Sequence, residues 1–158
     1  MYKNLITEAE LKNTGLLDNN VSSSYIAPIL KYVQDESLTR LLGKDFYINL
    51  MEKKTDNNLN AHEITLIDFY IKDILKWGIL AEIQIPLNSK FRNMGMVETT
   101  DDNVNSNQIA ELKYTKNQYA MKQNFYSNRM TDFLVENRKH YPLYKCKPSS
   151  FNTQIYLG

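Results

Sequence analysis

The sequence predicts an all-α fold: a helical bundle with a long C-terminal helix, an inserted β-hairpin-like loop and an extended C-terminal tail. Three observations carry this expectation. Apolar residues recur at spacings of three and four through residues 26–33, 38–51 and 109–133. The stretch Glu63–Ile85 is apolar on more than one face, as a helix packed on several sides must be. Glycine, asparagine and proline breaks separate these stretches. At 158 residues the chain has room for a single domain, 1–158.

The first 22 residues read as a lead-in, where Thr7-Glu8-Ala9-Glu10 has the form of a capping box opening a short helix that Gly15 stops. The helical core then runs over 23–139. Ser22-Ser23-Ser24 offers N-caps for a helix bearing Ile26, Ile29, Leu30 and Val33 on one face, with Pro28 in its first turn. Gly43 is its C-cap, and Phe46, Tyr47, Leu50 and Met51 continue through a second helix, so residues 23–54 form a helix, a glycine corner and a helix. Residues 53–60 are polar and read as a surface loop. Glu63–Ile85 is the core helix, ended by Pro86. Residues 87–107 hold Gly95 between short apolar runs and end in Asp101-Asp102-Asn103, the pattern of a two-stranded ribbon. A lone hairpin is marginal in water, so this loop is expected to contact a neighbour through Met94, Met96 and Val97.

The last long helix is expected over 108–139, capped by Ser106 or Asn107. Ile109, Leu112, Tyr119, Tyr126, Met130 and Phe133 form its seam, with Lys116 and Gln123 at two seam positions. A helix of that length exceeds what a domain of this size needs, so it kinks or projects at one end. Residues 140–158 form an extended tail, where Phe151, Ile155, Tyr156 and Leu157 stand as a second set of contact residues.

Composition narrows the function classes. Nineteen Lys and Arg against 18 Asp and Glu leave a net charge of +1, which excludes a strongly basic nucleic-acid clamp and a polyanionic mimic. One cysteine, Cys146, excludes an intramolecular disulfide framework and a multi-cysteine zinc site. No apolar run approaches the roughly 18 residues of a membrane span, and the N-terminal residues lack the apolar core of a signal peptide.

The search for chemistry returns ordinary explanations. Gly43-Lys44-Asp45 is similar to the end of a phosphate loop, but the upstream glycine spacing is missing and a helix C-cap accounts for the glycine. His62 and His140 have no second ligand at helical spacing, and Cys146 has no histidine beside it. The pairs Asp35-Glu36 and Asp101-Asp102 are adjacent residues, which do not face one another on a helix and are solvated in a loop. Tyr114, Tyr119, Tyr126 and Tyr141 alternate with Lys113, Lys116, Lys122 and Arg129, and read as core tyrosines beside a solvated basic face. The expectation is a non-enzyme with no catalytic, metal or cofactor-binding residues.

Local words carry a family resemblance. Ile26-Ala27-Pro28-Ile29, Val33-Gln34-Asp35 and Leu41-Leu42-Gly43-Lys44-Asp45-Phe46-Tyr47 resemble the opening of head-to-tail connector proteins, the adaptor or ring proteins of tailed bacteriophages, and most of all those of crAss-like phages. Phe69-Tyr70-Ile71-Lys72, Asn93-Met94-Gly95-Met96-Val97, Glu111-Leu112-Lys113-Tyr114, Phe125-Tyr126, Phe133-Leu134 and Tyr141-Pro142 continue the likeness over residues 20–158. The resemblance implies a virion structural protein forming a homo-oligomeric ring, usually of twelve copies, docked under the portal protein. Such a ring continues the DNA channel and supports the next tail or ring protein. Viral DNA would pass through without sequence-specific binding, no membrane is involved, and the protein would reside at the head–tail junction after assembly in the host cytoplasm. The competing reading is a small helical binding or regulatory protein acting as a monomer or dimer.

Overall fold

The computed structural model describes residues 3–88 and 106–145, and every element among them is helical. The expected hairpin-like loop and extended tail fall on 89–105 and 146–158, outside the described residues.

Helix α1 (Glu8–Lys12) opens with the capping box read in the sequence: the Glu10 amide donates to Thr7 Oγ1 and the Thr7 amide to Glu10 Oε2. The lead-in is more than a solvated arm. Leu5, Ile6, Leu11 and Leu17 are buried in the core, and the Leu5 amide donates to buried Gln34 Oε1 at 2.8 Å. Glu10 also pairs with Lys72 at 2.7 Å. Burial opposes ionisation of Glu10, but the Lys72 and Thr7 hydrogen bonds outweigh it and lower its pKa below the ordinary 4.5. A carboxylate with a lowered folded pKa stabilises fully above its unfolded value and loses that contribution as pH falls through the folded value. Acidification below pH 4.5 should therefore loosen the lead-in, and the Tm drop between pH 5 and 3 should be smaller in Glu10→Gln than in the wild type. Equal drops in the two proteins would remove Glu10 from the account.

Helix α2 (Ser23–Leu42) starts from Ser22, whose side chain accepts the Ser24 amide. Pro28 is its sixth residue, one turn later than the sequence reading placed it, so the Ser24 carbonyl has no N–H above it. Both residues are exposed, which lets water serve that carbonyl. Gly43 turns the chain at φ 85°, a value that favours glycine, into α3 (Lys44–Thr55). The two sequence words on either side of this corner form one hydrogen-bonded joint. Tyr47 Oη donates to Asp35 Oδ1 at 2.6 Å, and Gln34 Nε2 approaches the same hydroxyl at 3.4 Å. The loop after α3 is shorter than expected, because Lys53, Lys54 and Thr55 complete the helix and only residues 56–60 connect.

The core helix is one continuous run in three parts: α4 (Ala61–Leu66), a π-helical segment (Ile67–Ile71) and α5 (Lys72–Asn88). Asn60 and Glu63 form its capping box, and buried Glu63 also holds Lys53 at 2.6 Å. It continues past Pro86 to Asn88, contrary to the expected stop at residue 85. Near a helix end a proline removes a single hydrogen bond.

Helix α6 (Ser106–Glu136) starts two residues before and ends three before the expected bounds, so residues 87–88 and 106–107 belong to helices and not to the connecting loop. It runs antiparallel to the core helix, as the contacts Tyr70–Phe133, Trp77–Tyr119 and Glu82–Lys116 show. Gly78 sits at the closest approach, where α2, α5 and α6 meet. Its neighbour Gln123 donates to buried Ser37 at 3.1 Å, giving the polar seam position a partner. After a 3₁₀ turn (Arg138–His140) the chain returns across the bundle, burying Tyr141 and Tyr144.

Candidate subunit-contact face

Helix α6 carries two apolar stripes. The inner one holds Leu112, Tyr119, Tyr126, Met130, Phe133 and Leu134, of which only Met130 and Leu134 are fully buried. From residue 110 to residue 126 no side chain of α6 is fully buried. The reason is geometric: among the described residues the core helix is the main element laid along this part of α6, through Trp77–Tyr119 and Glu82–Lys116. The outer stripe lies on the opposite face, with Tyr114, Met121 and Phe125 at spacings of seven and four and 66%, 64% and 64% exposed. Tyr114 is thus no core tyrosine. Nor is the basic face simply solvated: Lys122 Nζ lies 4.3 Å from the centre of the Trp77 ring, a cation–π contact.

Beside the outer stripe lies an open groove of ≈ 410 Å³. The π segment creates its wall. Within it Ile67 and Ile71 stay buried while Phe69, two positions from each, is 64% exposed. Tyr70 then stacks on Phe133 at 4.2 Å, with the Arg129 guanidinium 5.3 Å above the Tyr70 ring. Phe125 closes the apolar floor, and Asp132 and Glu136 stand on the rim. Among the described residues neither acid has an ion-pair partner. A separate apolar strip, Tyr25, Pro28 and Tyr32, lies exposed on α2. The chain therefore shows two different exposed apolar faces.

The contact residues expected from the sequence, Met94, Met96, Val97, Phe151, Ile155, Tyr156 and Leu157, all lie outside the described residues, as do Asp101, Asp102 and Cys146. The structure separates the partners of the other acidic pair. Asp35 is held by Lys31 and Tyr47, and Glu36 by Arg40 and Ser37. Burial works against the Asp35 charge, yet the hydrogen bonds from Lys31 and Tyr47 prevail and lower its pKa. Asp45, beside the glycine corner, lies 3.6 Å from Lys145.

Sequence reading missed one pair altogether: His62 and His140 stack at 3.8 Å, joining the start of α4 to the 3₁₀ turn. Next to them the Tyr141 hydroxyl donates to the His62 carbonyl at 2.8 Å. Burial, with Tyr70 and Glu63 nearby, pushes the Tyr141 pKa up to about 12, so it stays a neutral donor. No group of three His, Cys, Asp or Glu side chains able to hold a metal ion occurs among the described residues. Likewise, none of the described helices is long and apolar enough to cross a membrane. Phe69, Tyr70, Met121, Phe125 and Arg129 went unremarked as contact residues. Their signal was available as apolar residues out of phase with the α6 seam and as the second apolar face of the core helix.

Among the described residues, an all-helical bundle with an exposed aromatic stripe is the class that fold and face define. The chain belongs to the family described as a family of unknown function (DUF6712), which matches residues 38–153. No curated protein and no solved structure matches it.

Proposed function

We propose that this chain is a virion structural protein: one subunit of a head–tail connector ring, docked between the portal protein and the tail and surrounding the DNA channel. The observation that carries the reading is the stretch 110–126 of α6, where no side chain is fully buried and Tyr114, Met121 and Phe125 are exposed. Each such side chain stabilises an association by about 1.5–3 kcal/mol if a neighbour covers it. A ring needs two different faces on each copy, since its contacts are heterologous and must close. The α6 stripe and the α2 strip of Tyr25 and Tyr32 supply two such faces. The likeness of residues 20–158 to phage connector proteins supports the same reading and supplies the twelve-copy expectation.

Native mass spectrometry and negative-stain imaging, with and without the portal protein, test this. A closed ring is the expected species. Met121→Glu should keep the wild-type Tm, because the residue is 64% exposed, and weaken each joint on the order of tenfold to a hundredfold. A wild-type protein that stays monomeric with portal present would overturn the ring and favour a small helical binding protein.

A further inference from the structure

We propose that the groove between Tyr70 and α6 is the dock for the segment Phe151–Leu157 of the neighbouring copy, an inference that rests on the ring reading and names the occupant of its joint. Chemistry is the first support. The groove has an aromatic floor of Tyr70, Phe125 and Phe133, and Asp132 and Glu136, which have no ion-pair partner among the described residues, line it as well. The segment Phe151-Asn152-Thr153-Gln154-Ile155-Tyr156-Leu157 has no charge and four large apolar side chains, and Lys147 precedes it by four residues. An apolar segment led by a cation suits an apolar groove with an acidic rim.

Reach is the second support, and the ring reading, whose joints need two different faces, selects the neighbour over the same copy. The last described residue, Lys145, lies 3.6 Å from Asp45, at the start of α3. Tyr141 touches Phe46 on that side and Phe133 on the groove side, with ring centres 6.1 and 5.8 Å apart. The root of the segment is thus about one aromatic ring from its own groove. Six residue steps from Lys145 to Phe151 span about 20 Å when extended. Twelve steps, about 40 Å, bring Leu157 within range of an adjacent copy.

The test uses full-length variants. Ile155→Asp disables the segment and Phe125→Glu disables the groove; Phe125 is 64% exposed, so folding should be retained, with circular dichroism as the check. Each variant alone should lose the ring in native mass spectra, while an equimolar mixture should recover one-to-one pairs, since each pair holds one intact segment and one intact groove. A synthetic peptide of residues 146–158, titrated by fluorescence anisotropy, should bind the Ile155→Asp variant and bind at least tenfold more weakly once Phe125→Glu is added. Rings that form as in the wild type in both variants would overturn the docking and leave the connector reading standing. A monomeric wild type that also fails to compete with the peptide would overturn both. Variants that do not pair on mixing, while the peptide binds, would mean that the segment covers its own groove, which overturns the neighbour assignment.

Discussion

Replacing Ile74 by Asp should leave no soluble folded protein. Ile74 is 0% exposed at the middle of the central helix. An aspartate there would have to bury a carboxylate without a partner or take up a proton to avoid doing so, and either route costs several kcal/mol. Single domains are stable by only about 5–15 kcal/mol, so that cost takes most of the margin. The adjacent residue gives the contrast. Asp73→Ala removes a partly exposed pair with Lys76 at 2.7 Å, which is worth less than about 1 kcal/mol. Soluble yield and circular-dichroism melts of the two variants should therefore differ sharply although the sites are neighbours in sequence. A wild-type-like melt for Ile74→Asp would mean that this face of the helix is not in the core.

Gly78→Leu should lower the Tm by on the order of 10 °C, from an overpacking cost of about 3 kcal/mol. A Cβ at Gly78 would come within 2.4 Å of Gln123 Nε2 and 2.8 Å of Val33 Cγ1. The Gln123 amide can swing aside, though it then gives up Ser37. Val33 is buried and β-branched, and it cannot yield the same way. Gly78→Ala should be milder, because alanine gains about 1 kcal/mol in helix propensity against the clash. Val33→Ala should offset part of the Gly78→Ala loss, and a double-mutant cycle by thermal denaturation reads that coupling. Additive losses would show that the crowding is with Gln123 alone.

The helices themselves were legible because their signals are local. Thr7 with Glu10 and Ser22 at helix starts, Gly43 between α2 and α3, and the three-and-four spacing of Leu30 and Val33 act within one or two turns. Their bounds slipped where local rules allow more than one outcome. Pro86 is tolerated near a helix end, and the lysines after Met51 can finish a helix as readily as begin a loop.

The exposed face of α6 was only half legible, for a different reason. Helix α6 has apolar residues on two faces, and periodicity alone treats both as candidates for the interior. Which one is covered depends on the single helix laid against it, antiparallel and in a register set by Tyr70–Phe133 and Glu82–Lys116. Sequence alone determined that this chain builds long helices with few reactive side chains. Only the tertiary structure decided that Tyr114, Met121 and Phe125 face outward and that Tyr70 and Phe133 meet in a groove. The same holds for Gln34, a polar residue that becomes a buried clamp only when the lead-in folds back onto α2. Helix formation is governed by neighbours along the chain, whereas burial is governed by neighbours across the bundle, more than 50 residues away in sequence for Tyr70 and Phe133.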